Sequence, residues 1–206
     1  MAADRNSPQT PAEPSTSEVD AELSSPSRWR SLWQGQRENL KILGIALAIA
    51  LVIRMFIAEP RFIPSDSMAP TLHVGDRLIV DKVSTLWQPL HRGDVVVFEP
   101  PPQLQEIGYD VRQAFIKRVI AEPGQTVRVS GGQVYIDQEP LQESYLLEPP
   151  SYEMGPVKVP PGYVFVMGDN RNDSNDSHVW GVLPKENVIG RARVRFWPLD
   201  RFGTVG

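Results

Sequence analysis

Cysteine is absent from the 206 residues, and histidine occurs only three times. The first absence excludes disulfides, thiolate metal sites and a cysteine nucleophile, and leaves the redox compartment open. The second narrows any histidine-based triad to His73, His91 and His178. His91 lies in PLHRGD, a surface turn, and His73 follows a serine-rich turn, so both read as solvated; His178 adjoins a polar loop and is retained as a candidate. Positive charge is also short: the formal net charge is -4, which argues against a nucleic-acid partner. Internal repeats and long amphipathic helices are missing, and a single apolar run is long enough to concern a bilayer.

That run sets the domain plan. Residues 1–27 are rich in Pro, Ser, Thr, Ala and acid, with Val19 and Leu23 the only larger aliphatics, so burial cannot offset the entropy of ordering. They read as a disordered cytoplasmic tail, too acidic for a transit peptide. Residues 28–39 form a basic segment next to the membrane, carrying Arg28, Arg30 and Arg37 with Trp29 and Trp33 as interfacial rings. Residues 40–58, LKILGIALAIALVIRMFIA, are predicted to span the bilayer, because nineteen helical residues reach roughly 28 Å if Lys41 and Arg54 snorkel. The basic flank puts the N-terminus in the cytoplasm and residues 59–206 on the outer face of the cell membrane. A cleaved secretory signal is the alternative, but no small-x-small site follows the run and Pro60 stands just beyond it.

Beyond the span, β-type runs alternate with Pro/Gly punctuation: 77–83, 94–98, 114–121, 126–130, 133–137, 163–167 and 188–196. The expected fold is mainly β, an antiparallel domain preceded by one transmembrane helix. TVRVS and QVYID, joined through Gly131 and Gly132, make the clearest hairpin. The proline stretches 100–102, 149–150 and 160–161 are expected to be loops, and residues 103–110 have no clear period.

Three blocks carry chemistry. In FIPSDSMAPTLHVGD, Ser65 and Ser67 sit in a proline-bracketed turn with Met68 expected to be exposed beside them; by itself, such a turn is usually only a turn. In AFIKRVIAEPGQ, Lys117 and Arg118 are consecutive, so on a strand they point to opposite faces and one must face inward. Lys117 shares its face with Phe115 and Val119, and burial lowers a lysine pKa until it can serve as a general base toward a serine. FVMGDNRNDSNDSHVWG is crowded with short polar side chains. As a calcium loop it fails, because the third position counted from Asp169 is Arg171. It suits instead the bracing of a buried lysine, with Asp169 available to Arg118.

SDSMAPTL, IKRVIAEPG and GDNRNDSNDS, in that order beside one apolar span, resemble the boxes of the bacterial type I signal peptidases, and WGVLPKENVIGRARVRFWP resembles the closing segment of that family. The fold implied is that of signal peptidases and LexA-like self-cleaving repressors. The resemblance implies a Ser/Lys dyad with Ser67 as nucleophile and Lys117 as general base, an oxyanion held by the Ser67 backbone N–H and the Ser65 hydroxyl, and Ser174 hydrogen-bonded to the lysine amine. Asp176, Asp169 and Arg118 match the supporting network, and Met68 is placed near membrane and substrate. Neither cofactor nor metal is implied. The partners implied are exported preproteins, cut after small-x-small sites, and the lipid bilayer; oligomeric state stays open. Trp87, Trp180 and Trp197 are candidates either for lipid contact or for the core. Asp66 stands where many members have glycine and His178 where many have arginine. A self-cleaving repressor would need a DNA-binding domain and its own cleavage site, which are not present. A non-enzymatic β module would make Ser67 and Lys117 incidental.

Overall fold

Proline at the first helical position, followed by a stretch rich in Leu, Ala, Ile, Arg and Gln, starts and propagates helix α1, Pro26–Val52. The computed structural model describes residues 26–205, so the expected tail up to residue 25 lies outside the described residues. The described residues divide into two units, one ending at Leu51 and the other beginning at Val52. In α1 the side chains of Leu40, Ile42, Leu43, Ile45, Leu47, Ile49 and Leu51 are all exposed, so apolar surface surrounds this part of the helix instead of forming a stripe. Among the described residues no helix is long and apolar enough to cross a membrane. The uncharged stretch inside α1 runs only from Ile42 to Val52. A π-helical turn, Ile53–Ile57, follows, and Ala58 is already extended. The helical stretch expected over 40–58 thus runs as α-helix to Val52 and as a π-turn to Ile57. Pro60 keeps the residue before it, Glu59, out of the helical region.

The second unit is built of antiparallel strands: β1 (Ala58–Phe62), β2 (Arg77–Asp81), β3 (Val95–Phe98), β4 (Phe115–Ala121), β5 (Thr126–Ser130), β6 (Gln133–Ile136), β7 (Glu139–Pro140), β8 (Met154–Lys158), β9 (Tyr163–Met167), β10 (Leu183–Pro184), β11 (Val188–Trp197) and β12 (Gly203–Thr204). Seven of them follow the order β1-β2-β11-β3-β4-β9-β10, with β12 added on β11; the smaller sheet is β7-β6-β5-β8. The larger sheet curls, so that β1 and β4 line one groove although three strands separate them. At the β5–β6 turn Gly131 and Gly132 have φ of 56° and 77°, the two positive angles that a primed hairpin turn requires.

Three apolar clusters fill the unit, and the central strands are shared between them. Val95 and Val97 of β3 enter the cluster of Ile63, Leu72 and Leu78, while Val96 and Phe98 enter that of Leu104, Val164 and Trp180. A strand covered on both faces reads as the unbroken run VVVF. The third cluster joins Ile120 of β4 and Phe165 and Met167 of β9 to the inner face of β5 and β6.

One expectation is corrected here, and one strand was not anticipated. Pro102 does not lie in a loop but opens a short helix, α3 (Pro102–Glu106), where its missing N–H costs nothing; α2 (Ser84–Trp87) precedes it. Strand β8, whose sequence MGPVK lacks alternation, forms because Thr126, Val127 and Val129 of β5 offer it an edge.

Candidate active site

The loop between β1 and β2 carries the two serines. Its base is closed by Ile63 N–H donating to Asp76 O and Gly75 N–H to Ile63 O, and its tip is a helical turn in which Leu72 N–H donates to Met68 O. Buried Asp76 accepts from His73 N–H at 2.9 Å and from the Arg201 guanidinium at 2.9 and 3.0 Å, which fixes where the turn sits. Met68, expected to be exposed, is fully buried in the cluster of Leu72, Leu78 and Val80. The helical turn sends Met68 to the core side and leaves Ser67 at the surface of the groove, so Met68 anchors the turn and is not among the residues lining the serine cavity. Met68→Ala lowers unfolding stability by about 2–5 kcal/mol, measurable by urea denaturation.

Lys117 comes to this turn from β4, where it pairs in register with Val96. Its Nζ donates to Ser67 Oγ at 2.6 Å. The lysine is 3% exposed, and burial lowers its pKa to about 8 against the opposing pull of Asp176, Asp169 and Asp173. An amine with that pKa is neutral in about a tenth of the molecules at pH 7 and in half at pH 8, and in the neutral form the same short contact runs in reverse, from the serine hydroxyl to the nitrogen lone pair. Ser65 Oγ donates to Ser67 Oγ at 3.4 Å. Among the described residues nothing accepts from the Ser67 N–H, which leaves that donor for a ligand.

Lys117 and Arg118 were expected to divide between an inward and an outward face, yet both are buried, at 3% and 4% exposure. β4 lies inside the larger sheet, and the Arg118 side is capped by the chain after β9. Arg118 forks onto Asp169 at 2.8 and 2.6 Å, donates to Gly93 O at 3.0 Å, and shares Asp169 with the Thr71 hydroxyl at 2.5 Å.

The polar block after β9 is organised around Asp176, the N-cap of helix α4 (Ser177–Trp180). Its carboxylate accepts from Gly168 N–H at 2.8 Å, Ser174 Oγ at 2.6 Å and His178 N–H at 3.1 Å, and meets His178 Nδ1 at 2.7 Å. The expected bond between Ser174 and the lysine amine is not made; the Ser174 hydroxyl donates to the Asp176 carboxylate. His178 serves Asp176 and stacks on Tyr152 with ring centroids 4.2 Å apart. Asp66 turns away from the groove, accepting from Val74 N–H at 3.2 Å. Of the tryptophans, Trp180 packs in the core against Phe98, whereas Trp87 and Trp197 are exposed.

Ser65, Ser67 and Lys117 open together into a cavity of about 370 Å³, shared with Pro64, Tyr109 and Gln113. A second cavity of about 320 Å³ shares Pro64, Ala114, Phe115 and Ile116 with it and extends along β1, so one groove runs from the serines past the free edge of that strand. β9 pairs with β4 only from Arg118 onward, so residues 114–117 lack a strand neighbour on that side. Residues not singled out in the sequence also build this site. Gly168 sits where any Cβ would strike Ser67 O and Ser174 Oγ. Arg171, fully buried, donates to Gly168 O at 3.0 Å and forks onto Glu143 at 2.8 and 2.5 Å. Gly168 and Arg171 stood inside a polar block that could have been searched; nothing local marks Glu143.

Comparison with known proteins gives one consistent result. The family model for "Signal peptidase, peptidase S26" matches residues 36–197. The chain is 61% identical over 176 residues to the "Probable signal peptidase I-1" of Synechocystis sp., covering 85% of this chain and 90% of that one. It is 49% identical over 205 residues to the "Signal peptidase I" of Leptolyngbya laminosa, covering 99% and 96%. With the "Thylakoidal processing peptidase 1, chloroplastic" of Arabidopsis thaliana it shares 46% identity over 164 residues, 78% of this chain and 48% of the plant protein.

Proposed function

Because the chain belongs to the signal peptidase family of S26 peptidases, it is a serine peptidase that removes signal peptides from exported preproteins, and we propose that it does so with Ser67 as nucleophile and Lys117 as general base. The observation that carries the proposal is the 2.6 Å contact between a buried amine and a serine hydroxyl at the mouth of a groove. Neutral Lys117 takes the Ser67 proton as Oγ attacks the scissile carbonyl carbon. The Ser67 N–H and the Ser65 hydroxyl stabilise the oxyanion. The Lys117 ammonium then protonates the departing amine, leaving an ester on Ser67. Water, deprotonated by Lys117 in its turn, cleaves that ester and frees the serine. Arg118, Asp169, Ser174 and Asp176 hold the lysine and the turn in place.

The substrate lies in the groove as an extended strand, using the open edge of residues 114–117 for main-chain hydrogen bonds, with small residues at the first and third positions before the cut. The apolar side chains around α1, together with Arg28, Arg30, Arg37 and Lys41, support a membrane anchor with a cytoplasmic N-terminus and an external catalytic unit. Tethering both partners at one bilayer raises their effective concentration.

Cleavage of a detergent-solubilised preprotein, with the cut mapped by mass spectrometry, tests the proposal. Wild type cuts after a small-x-small site; Ser67→Ala does not cut. Ser65→Ala keeps its fold and loses roughly a hundredfold to a thousandfold in kcat. Cutting by Ser67→Ala at the wild-type rate would remove the nucleophile from the scheme.

A further inference from the structure

The chain between β7 and β8 crosses from the smaller sheet to the catalytic block and is attached there at several points. Glu143, 4% exposed in its side chain, accepts both arms of the Arg171 fork and also the Tyr145 hydroxyl at 2.5 Å. Asn172 accepts from Ser151 N–H at 2.7 Å and donates to Pro149 O at 3.0 Å. The Tyr145 ring lies under the Arg118 guanidinium, 4.0 Å from its central carbon.

Two routes therefore lead from this strap to the dyad. Along one, Glu143 holds Arg171, whose Nε binds the carbonyl of Gly168, the residue packed against Ser67 O and Ser174. Along the other, Tyr145 supports Arg118, which is chain neighbour to Lys117 and forks onto Asp169. Neither Glu143 nor Tyr145 is among the residues lining the cavity that holds Ser65, Ser67 and Lys117. We propose that Glu143 and Tyr145 are positioning residues for peptide-bond cleavage, setting the placement and charge balance of Lys117 through Arg171 and Arg118. The proposal rests on the Ser67–Lys117 reading.

The charge balance supplies the readout. Asp176, Asp169 and Asp173 act on Lys117 directly; behind them, His178 meets Asp176, Arg118 forks onto Asp169, and the Arg171–Glu143 pair stands with Tyr145 at the strap. Glu143→Gln removes one negative charge and leaves the Arg171 cation uncompensated. The added positive potential disfavours the protonated lysine, so the acid limb of the pH–rate profile moves to lower pH by roughly half a unit or more. Loss of placement lowers kcat roughly tenfold or more with KM nearly unchanged. Tyr145→Leu, which removes the ring under Arg118, lowers kcat in the same way, and Tyr145→Phe, which keeps the ring, recovers most of it.

The experiment measures kcat, KM and pH profiles of the full detergent-solubilised chain, normalised to the folded fraction from circular dichroism. A lowered kcat with a displaced limb in Glu143→Gln, and recovery in Tyr145→Phe relative to Tyr145→Leu, supports the positioning role. Folded variants with wild-type kcat and limb overturn it, including variants that only melt earlier. If Glu143→Gln does not fold, the two tyrosine variants decide. Full activity in Ser67→Ala, run in parallel, would instead sink the dyad itself.

Discussion

Lys117→Met abolishes cleavage and at the same time stabilises the folded unit at neutral pH. The two effects have one cause. Burial lowers the lysine pKa from 10.5 to about 8, so the native state has difficulty accommodating a proton that the unfolded chain binds readily. Between these values the unfolded state carries more protons, and stability rises with pH across the window. Below about pH 8 the penalty is fully present, on the order of 3 kcal/mol; it disappears as pH approaches 10.5. Methionine fills similar space with no ionisable group, so the gain over wild type is largest at pH 7 and fades in alkali. Activity runs in the matching direction: the rate of wild type climbs with pH and levels off above about 8, where the amine is neutral. Thermal melts of both proteins from pH 7 to 10.5, beside a pH–rate profile, check the pair. A variant that melts earlier than wild type at pH 7 would mean that Lys117 is a structural cation and no base.

Gly168→Ala should cost at least roughly a hundredfold in kcat. An added Cβ would stand 2.3 Å from Ser67 O, 2.3 Å from Ser174 Oγ and 2.7 Å from Ser174 Cβ, and none of these is the far end of a flexible chain. Ser67 O already accepts from Asn170 N–H at 3.1 Å, so the Ser67 backbone must yield. Overpacking by one methyl adds a stability loss of about 1–3 kcal/mol. Gly190→Ala is the control, because its Cβ would meet Asp81 O at 2.5 Å and Val80 Cγ1 at 2.8 Å on β2. That variant loses stability by a similar amount with kcat intact. Steady-state kinetics and urea unfolding on both proteins separate the effects, and equal kcat losses would mean that the clash acts only through general destabilisation.

Strands with strong alternation or an unbroken apolar run were legible from sequence, since period and turn chemistry are local. Thr126–Ser130 and Tyr163–Met167 begin and end where the pattern does. Strand β8 had no such period, and its edge was supplied by a neighbour. Met68 was misplaced for a related reason: a polar, proline-bracketed turn looks exposed throughout, and only its fold-back onto β2 and β3 sends one side chain inward.

By itself, then, the sequence determined the antiparallel class, the hairpin at Gly131 and Gly132, and the residue types available for acid–base work in the serine turn, the Lys117 strand and the block after β9, because each depends on spacing along a few residues. Tertiary structure alone decided that Lys117 reaches Ser67, that Arg118 is buried as well, that Ser174 bonds to Asp176, and that Glu143 pairs with Arg171. Those contacts join residues from 28 to 51 positions apart, except for the Ser174–Asp176 pair. Desolvation and hydrogen-bond competition are set by what the fold packs around a group, and no local pattern encodes them.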